Sequence, residues 1–126
     1  MVIGIEAARA NAKEKTGTEQ YACSIITSMV ALDHETDFFL YTDKPLTDPL
    51  AHLGPNVHEK ILRWPPRRLW NQVRLSLAML RKKPDVLFLP AHTIPLVHPA
   101  ATVTMIHDVG FDRSPQLYAA RELAYH

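Results

Sequence analysis

The sequence has little cysteine, little excess charge and no long apolar run, and each shortage excludes a class of protein. Its single cysteine, Cys23, rules out an internal disulfide and is typical of a reducing compartment. A net charge of +1 with neutral histidines gives no indication of nucleic-acid binding. The apolar stretch at residues 1–8 is short and is interrupted by Glu6, so it predicts neither a signal-peptide core nor a membrane span. We therefore expect a soluble, cytoplasmic protein.

The remaining composition is that of an ordinary globular protein. Hydrophobic residues make up 47% of the chain and charged residues 21%, which argues against disorder. A chain of 126 residues is long enough to bury one core. We therefore expect residues 1–126 to form one domain.

Residues 84–112 contain two short apolar runs, each followed by polar residues. The runs at 85–89 and 101–106 are rich in β-branched and aromatic residues and predict buried strands of a parallel sheet. His92 follows the first run, and His107 and Asp108 follow the second. Because ligands of open parallel sheets bind outside the carboxyl ends of the strands, these residues are candidate site residues.

The rest of the chain alternates strand and helix patterns. The predicted elements are strands at 2–5, 38–42 and 57–62, helices at 19–32 and from 65 to about 83, a proline-rich loop at 43–55, and a last helix from Ser114 to His126. Together with the two apolar runs, this order predicts an α/β fold, a Rossmann-like doubly wound parallel sheet.

Gly17 lies at the predicted start of the first helix, where Thr16 and Glu19 fit a capping box. A helix N-terminus offers free N–H donors and a partial positive charge, so Gly17 and Thr18 are candidate phosphate-binding residues. The alternative is that Gly17 only permits a tight turn, since one glycine is a weak phosphate signal.

The second predicted helix is apolar on one side and basic on the other. Its expected buried stripe is Leu69, Val73, Leu77 and Leu80, joined by Trp70 and Ala78, and Pro84 is expected to end the helix. Its basic residues are Arg67, Arg68, Arg74, Arg81, Lys82 and Lys83. This basic side is either a solvated face or a surface for anionic lipid or an acidic acceptor, so peripheral contact with the inner face of the membrane stays open.

His107 and Asp108 form the sharpest local feature. An imidazole beside a carboxylate could orient a sugar hydroxyl, move a proton or bind a metal, or it could simply be a hydrogen-bonded strand end. His92, His98, His107 and Asp108 lack the spacing of a zinc motif, so no metal is predicted. No Gly-x-Ser-x-Gly elbow is present, and Cys23 is predicted to be a small core residue rather than a nucleophile.

Five segments carry a resemblance to a known family. They are Ile3-Gly4-Ile5-Glu6-Ala7, Thr16-Gly17-Thr18-Glu19-Gln20-Tyr21, Leu69-Trp70-Asn71-Gln72-Val73-Arg74-Leu75, Pro84-Asp85-Val86-Leu87-Phe88-Leu89-Pro90-Ala91-His92 and Val103-Thr104-Met105-Ile106-His107-Asp108. Together, and in this order, they resemble the N-terminal domain of the retaining GT-B glycosyltransferases that use nucleotide-diphosphate sugars. Glu6 departs from the family pattern, which often has Asp there, so we expect Glu6 to tie down the first loop differently.

The resemblance implies a role for each candidate residue. His107 contacts the transferred sugar, Asp108 orients His107 or its loop, and Gly17 approaches the donor phosphates or the acceptor, with Thr18 beside it. His92 lines the cleft. The family needs no metal and no cofactor, because the nucleotide-diphosphate sugar is a co-substrate and the second partner is a saccharide or lipid-linked acceptor.

The resemblance also implies that the chain is incomplete. The family's nucleotide site and its Glu-x7-Glu carboxylates belong to a second, C-terminal domain, so we expect the isolated chain to be inactive and its exposed apolar surface to favour homo-oligomers. Two alternatives stay open. One is a non-catalytic α/β binding or scaffold module that pairs with a partner chain, and the other is an independent phosphate-binding enzyme of flavodoxin-like shape.

Overall fold

The chain folds as an α/β domain built on five parallel strands. The computed structural model describes residues 1–15, 17–63, 70–90 and 94–106, with the side chain of Asn71 excepted. The elements are β1 (Val2–Glu6), α1 (Gly17–Leu32), β2 (Asp37–Thr42), β3 (Val57–Ile61), α2 (Ser76–Arg81), β4 (Val86–Leu89) and β5 (Thr102–Thr104). A 3-10 turn at Leu50–His52 precedes β3, and a π-helical segment at Trp70–Leu75 leads into α2. The predicted order of strands and helices is confirmed over this range.

The strand order in the sheet is β3-β2-β1-β4-β5, and every neighbouring pair is parallel. Ile5 of the central strand lies opposite Leu40 of β2 and Phe88 of β4. The chain order reverses between β1 and β4, which creates the crevice where open α/β sheets bind ligands. The parallel α/β fold is therefore confirmed, and its order is consistent with a Rossmann-like sheet.

The two helices cover opposite faces of the sheet. Successive side chains of a strand point to opposite faces, and here neighbours such as Leu40 and Tyr41 belong to different hydrophobic clusters. The cluster on the α1 face contains Ile5, Ala22, Cys23, Ile26, Val30, Phe38, Leu40 and Phe88, and the cluster on the α2 face contains Tyr41, Trp70, Leu75, Met79, Leu87 and Leu89. The sheet is therefore wound on both sides, and Cys23 is the buried core residue that the sequence predicted.

The predicted buried stripe of the second helix is wrong at two of its positions. Leu77 and Leu80 are exposed, whereas Leu75 and Met79 are fully buried. The π-helical segment that ends at Leu75 holds more residues per turn than an α-helix, so it rotates everything that follows out of the predicted phase. Trp70 is buried as predicted, and its indole N–H donates to the carbonyl of Leu62 at 2.6 Å.

The second apolar run forms a strand, but the strand is not buried on both sides. β5 is the edge of the described sheet, and Val103 and Ile106 are exposed. The helix predicted from Ser114 and the helix start at Pro65 lie outside the described residues. None of the helices in the described ranges is both long and apolar enough to cross a membrane.

Candidate functional site at the carboxyl edge of the sheet

Four pieces of the chain meet where the parallel strands end. Because all five strands point the same way, the ends of β1, β4 and β5 lie along one edge of the sheet. The N-terminus of α1 lies at this edge too, since α1 must run back across the sheet to reach the start of β2. The edge therefore combines a switch point with a helix N-terminus.

Glu6 ends β1 and is a buried carboxyl at the switch point. Only 2% of the residue is exposed, and its Oε1 accepts a hydrogen bond from the N–H of Ala8 at 2.8 Å. Burial raises the pKa of the Glu6 carboxyl, and the N–H of Ala8 and the charge of Arg9 offset only part of that rise. Glu6 thus holds the first turn of the β1–α1 loop against the end of its own strand.

The same loop is tied to the loop after β2. The side-chain amide of Asn11 donates to the carbonyl of Pro45 at 3.0 Å, and its Oδ1 accepts from the N–H of Thr47 at 2.8 Å and from the Thr47 hydroxyl at 3.0 Å. The N–H of Ala7 donates to the carbonyl of Tyr41 at 2.7 Å. These bonds within the chain order the path from Glu6 towards α1.

Gly17 begins α1 and is exposed, with Thr18 half-buried beside it. A Cβ built on Gly17 would meet no atom within 4 Å, and the residue does not adopt a positive φ. Within the described residues, neither a close contact nor a positive φ requires glycine here. The tight-turn interpretation stays open, because Thr16 lies outside those residues. Phosphate binding by Gly17 and Thr18 stays a prediction, and Glu19 in the first turn already complements part of the helix dipole.

The remaining predicted site residues, His92, His107 and Asp108, lie outside the described residues, as does Thr16. The described chain stops just before two of them in sequence, at Pro90 after β4 and at Ile106 after β5. Among the residues that are described, no three His, Cys, Asp or Glu side chains come together as metal ligands. The prediction that the site uses no metal therefore remains untested.

His98, the fourth histidine considered for a metal, has other partners. Its Nδ1 lies 3.0 Å from the carbonyl of Pro99 and 3.2 Å from the hydroxyl of Thr102. It precedes β5, so it lies at the opposite edge of the sheet from Glu6. His98 is therefore separated from the candidate site.

The sequence analysis connected Glu6 with the first loop but did not predict its burial, and it missed Asn11. A signal existed for Glu6, because a carboxylate that interrupts an apolar strand at its carboxyl end is unusual for a buried position. Asn11 offered none, since its partners are more than thirty positions away in the chain. Both residues build the loop that leads from β1 towards α1.

Comparison of the chain with protein-family models, with curated proteins and with solved structures gave no match. The parallel sheet, the switch point and the residues at its carboxyl edge are therefore the basis for a functional proposal.

Proposed function

We propose that the chain is the N-terminal, acceptor-side half of a retaining GT-B glycosyltransferase. The complete enzyme would move a hexose from a nucleotide-diphosphate sugar to a saccharide or lipid-linked acceptor. The observation that carries the proposal is the sheet order, because it brings the ends of β1, β4 and β5 and the start of α1 to one edge. Within the described residues, four of the segments that carry the resemblance reach that edge, at Glu6, Gly17, Leu89 and Thr104.

The chemistry assigned to this half is the stabilisation of charge. In sugar transfer the departing diphosphate gains negative charge, which oriented N–H donors at a helix N-terminus can stabilise. The open space above Gly17 would let a phosphate approach the first amides of α1 closely. His107 would contact the transferred sugar, with Asp108 orienting it and His92 lining the cleft.

Glu6 and Asn11 would act as positioning residues in this scheme. Their bonds to Ala8 and to Thr47 are made within the chain itself and fix residues 6–11 of the path towards α1. A loop that is ordered in advance does not have to lose conformational entropy when substrate binds. Preorganised donors are also the ones that stabilise a transition state most effectively.

The resemblance assigns the Glu-x7-Glu carboxylates to the second half of the enzyme. Glu6 and Glu14 happen to have this spacing, but they do not replace that pair. The Glu6 carboxyl is buried and engaged by the first loop, whereas Glu14 is exposed. We therefore expect negligible sugar transfer from the isolated chain.

The direct test uses the product of the complete reading frame that contains this chain. We expect it to transfer sugar from at least one nucleotide-diphosphate donor, and we expect His107→Ala to lower kcat by about a hundred-fold or more. His34→Ala is the matched control, because His34 is an exposed histidine in the turn that precedes β2, at the opposite edge of the sheet. A robust transfer rate from the 126-residue chain alone would refute the assignment as half of an enzyme.

Gly17→Ala tests the phosphate contact separately. The substitution meets open space, so the fold should tolerate it, and weaker donor binding would then report a lost approach to the α1 amides. Unchanged donor affinity would remove Gly17 from the site without affecting the assignment of His107.

A second candidate function is the scaffold module that pairs with a partner chain. The exposed side chains of Leu96, Val103 and Ile106 around β5 favour it, since apolar groups at a sheet edge are typical of contact surfaces. Light scattering after size-exclusion chromatography distinguishes a monomer from an assembly.

Titration of the isolated chain with pyrophosphate tests the flavodoxin-like alternative, which requires tight binding without any partner.

A further inference from the structure

The corrected phase of α2 leaves two large apolar side chains in solvent. Leu77 is 42% exposed and Leu80 is 65% exposed, although both belong to a helix whose other side is fully buried. Residues three and four apart share one side of a helix, so Leu80 and Arg81 flank Leu77 on the same outer surface. Removing two leucines from water would be favourable, which indicates a contact that this surface is built to make.

The charge around these leucines is of one sign. Residues 70–83 contain no Asp or Glu, and Arg81, Lys82 and Lys83 are all exposed at the end of α2. Lys60 of β3 extends the same face, because its Nζ lies 4.7 Å from the Phe39 ring centre and that of Lys82 lies 5.6 Å from it.

Two described acidic side chains near this stretch, Asp37 and Asp85, have partners of their own. Asp37 faces His58 at 3.2 Å, and the carboxylate of Asp85 accepts from the N–H of Val2 at 2.7 Å. The exposed leucines therefore lie on the same stretch of chain as three exposed cations, and positive charge exceeds negative charge over residues 77–85.

We propose that this surface docks the protein on an anionic lipid bilayer. The surface, here called the basic leucine face, consists of Leu77, Leu80, Arg81, Lys82 and Lys83. Leucines that enter the boundary between headgroups and acyl chains gain hydrophobic free energy, while lysine and arginine pair with anionic headgroups in the plane above. The proposal goes beyond the proposed function, because lipid binding requires neither a sugar donor nor a second domain.

Charge complementarity favours a bilayer over a second copy of the chain. Two basic leucine faces packed together would bring like charges into contact, which is costly at an interface. Two partly exposed leucines are also few for a stable protein interface, whose buried core is rich in aromatic residues. A bilayer accepts the leucines and attracts every cation at once.

The test is cosedimentation of the purified full chain with vesicles. Neutral phosphatidylcholine vesicles are compared with vesicles that contain about 30 mol % phosphatidylglycerol, at low and at high salt. We expect binding to the anionic vesicles alone, and weaker binding as salt rises, because the Debye length shortens.

Two double variants separate the contribution of the leucines to vesicle binding from that of the cations. L77Q/L80Q should weaken binding about ten-fold or more, since together the leucines expose about one side chain's worth of apolar area. R81Q/K83Q should weaken it by roughly twenty-five-fold, at about five-fold for each cation near an anionic surface. Both variants change exposed positions, so their thermal unfolding should match that of the wild type.

The chain supplies a matched control for each variant. Leu32 ends α1 and is 87% exposed, so L32Q removes an exposed leucine from the other face of the sheet. K13Q/K44Q removes two exposed lysines from the loops after β1 and β2. Both controls should bind vesicles as the wild type does.

Three results would overturn the proposal. One is equal binding to neutral and anionic vesicles, and another is binding that survives both L77Q/L80Q and R81Q/K83Q. The third is a dimer in solution that L77Q/L80Q dissociates, since a second copy would then occupy the face. None of these results depends on enzyme activity, so failure here is distinguishable from failure of the proposed function.

Discussion

Gly4 and Gly17 should respond oppositely to the same substitution. Gly4 lies in the central strand β1, where an added Cβ would be 2.7 Å from Cε2 of Tyr41 and 2.8 Å from Cγ of Pro84. Both neighbours are buried, and neither a tyrosine ring nor a proline ring can move aside without disturbing the core. At Gly17 the same Cβ meets open space.

The magnitude follows from two opposing effects. Overpacking a core by one methyl group costs about 1–3 kcal/mol, and the central position of β1 favours the upper half of that range. Replacing glycine by alanine also reduces the entropy of the unfolded chain, which returns about 0.4–1 kcal/mol. We therefore expect G4A to lower the free energy of unfolding by about 1–2.5 kcal/mol, and G17A to leave it unchanged or raise it by up to about 1 kcal/mol.

Equilibrium unfolding in urea, followed by tryptophan fluorescence and by circular dichroism, measures both changes. A double-mutant cycle with Y41L identifies the cause, because leucine lacks the ring atom that a Cβ at Gly4 would contact. The penalty of G4A should shrink in that background by more than the error of additive sites. If G4A costs no more than G17A, the close approach of Tyr41 and Pro84 to Gly4 is refuted.

Three further predictions test the core and the loop. In urea unfolding, M79A should lower the free energy of unfolding by about 2–4 kcal/mol and L80A by less than about 0.5 kcal/mol. A larger loss for L80A than for M79A would show that Leu80 is the buried residue. The raised pKa of Glu6 means that the folded chain binds the proton more tightly, so stability should fall as pH rises from 4.5, the unfolded value, through the folded value. E6Q should abolish that fall and keep the bond from Ala8, and an unchanged pH profile would contradict the burial of Glu6. N11A should increase hydrogen exchange at Thr47, and equal exchange would show that the link between the two loops is weak.

The order of elements could be predicted because it depends on local patterns. Each of three features can be recognised from about ten consecutive residues: the apolar run of β4, the proline-rich loop before β3 and the helical spacing in α1. The parallel sheet was predicted from the overall order of strands and helices, although only a 3-10 turn lies between β2 and β3. These features required no knowledge of distant partners.

The phase of α2 and the burial of Glu6 could not be predicted in the same way. An α-helical period places Leu77 and Leu80 inside, and only a π-helical segment, which lacks a sequence pattern of its own, moves Leu75 and Met79 there instead. Glu6 is buried because the first loop folds back over it, and that fold depends on bonds between residues far apart in the chain. Such contacts are decided by tertiary packing rather than by propensity.

The geometry of α2 also relates the two proposals. Trp70 lies near the carboxyl edge, since it bonds the carbonyl that follows β3, and α2 runs from there towards the start of β4. At about 1.5 Å per residue or slightly less, Leu80 is roughly 10–15 Å farther from that edge than Trp70. A membrane bound at the basic leucine face would therefore lie at a distance from the carboxyl edge. If both proposals hold, a lipid-linked acceptor must carry a saccharide long enough to span that gap. The rate of sugar transfer to acceptors anchored in vesicles should then rise with saccharide length. The rate of transfer to free saccharides should not depend on length in this way. Equal use of short and long vesicle-borne acceptors would show that the face and the catalytic edge do not act on the same substrate.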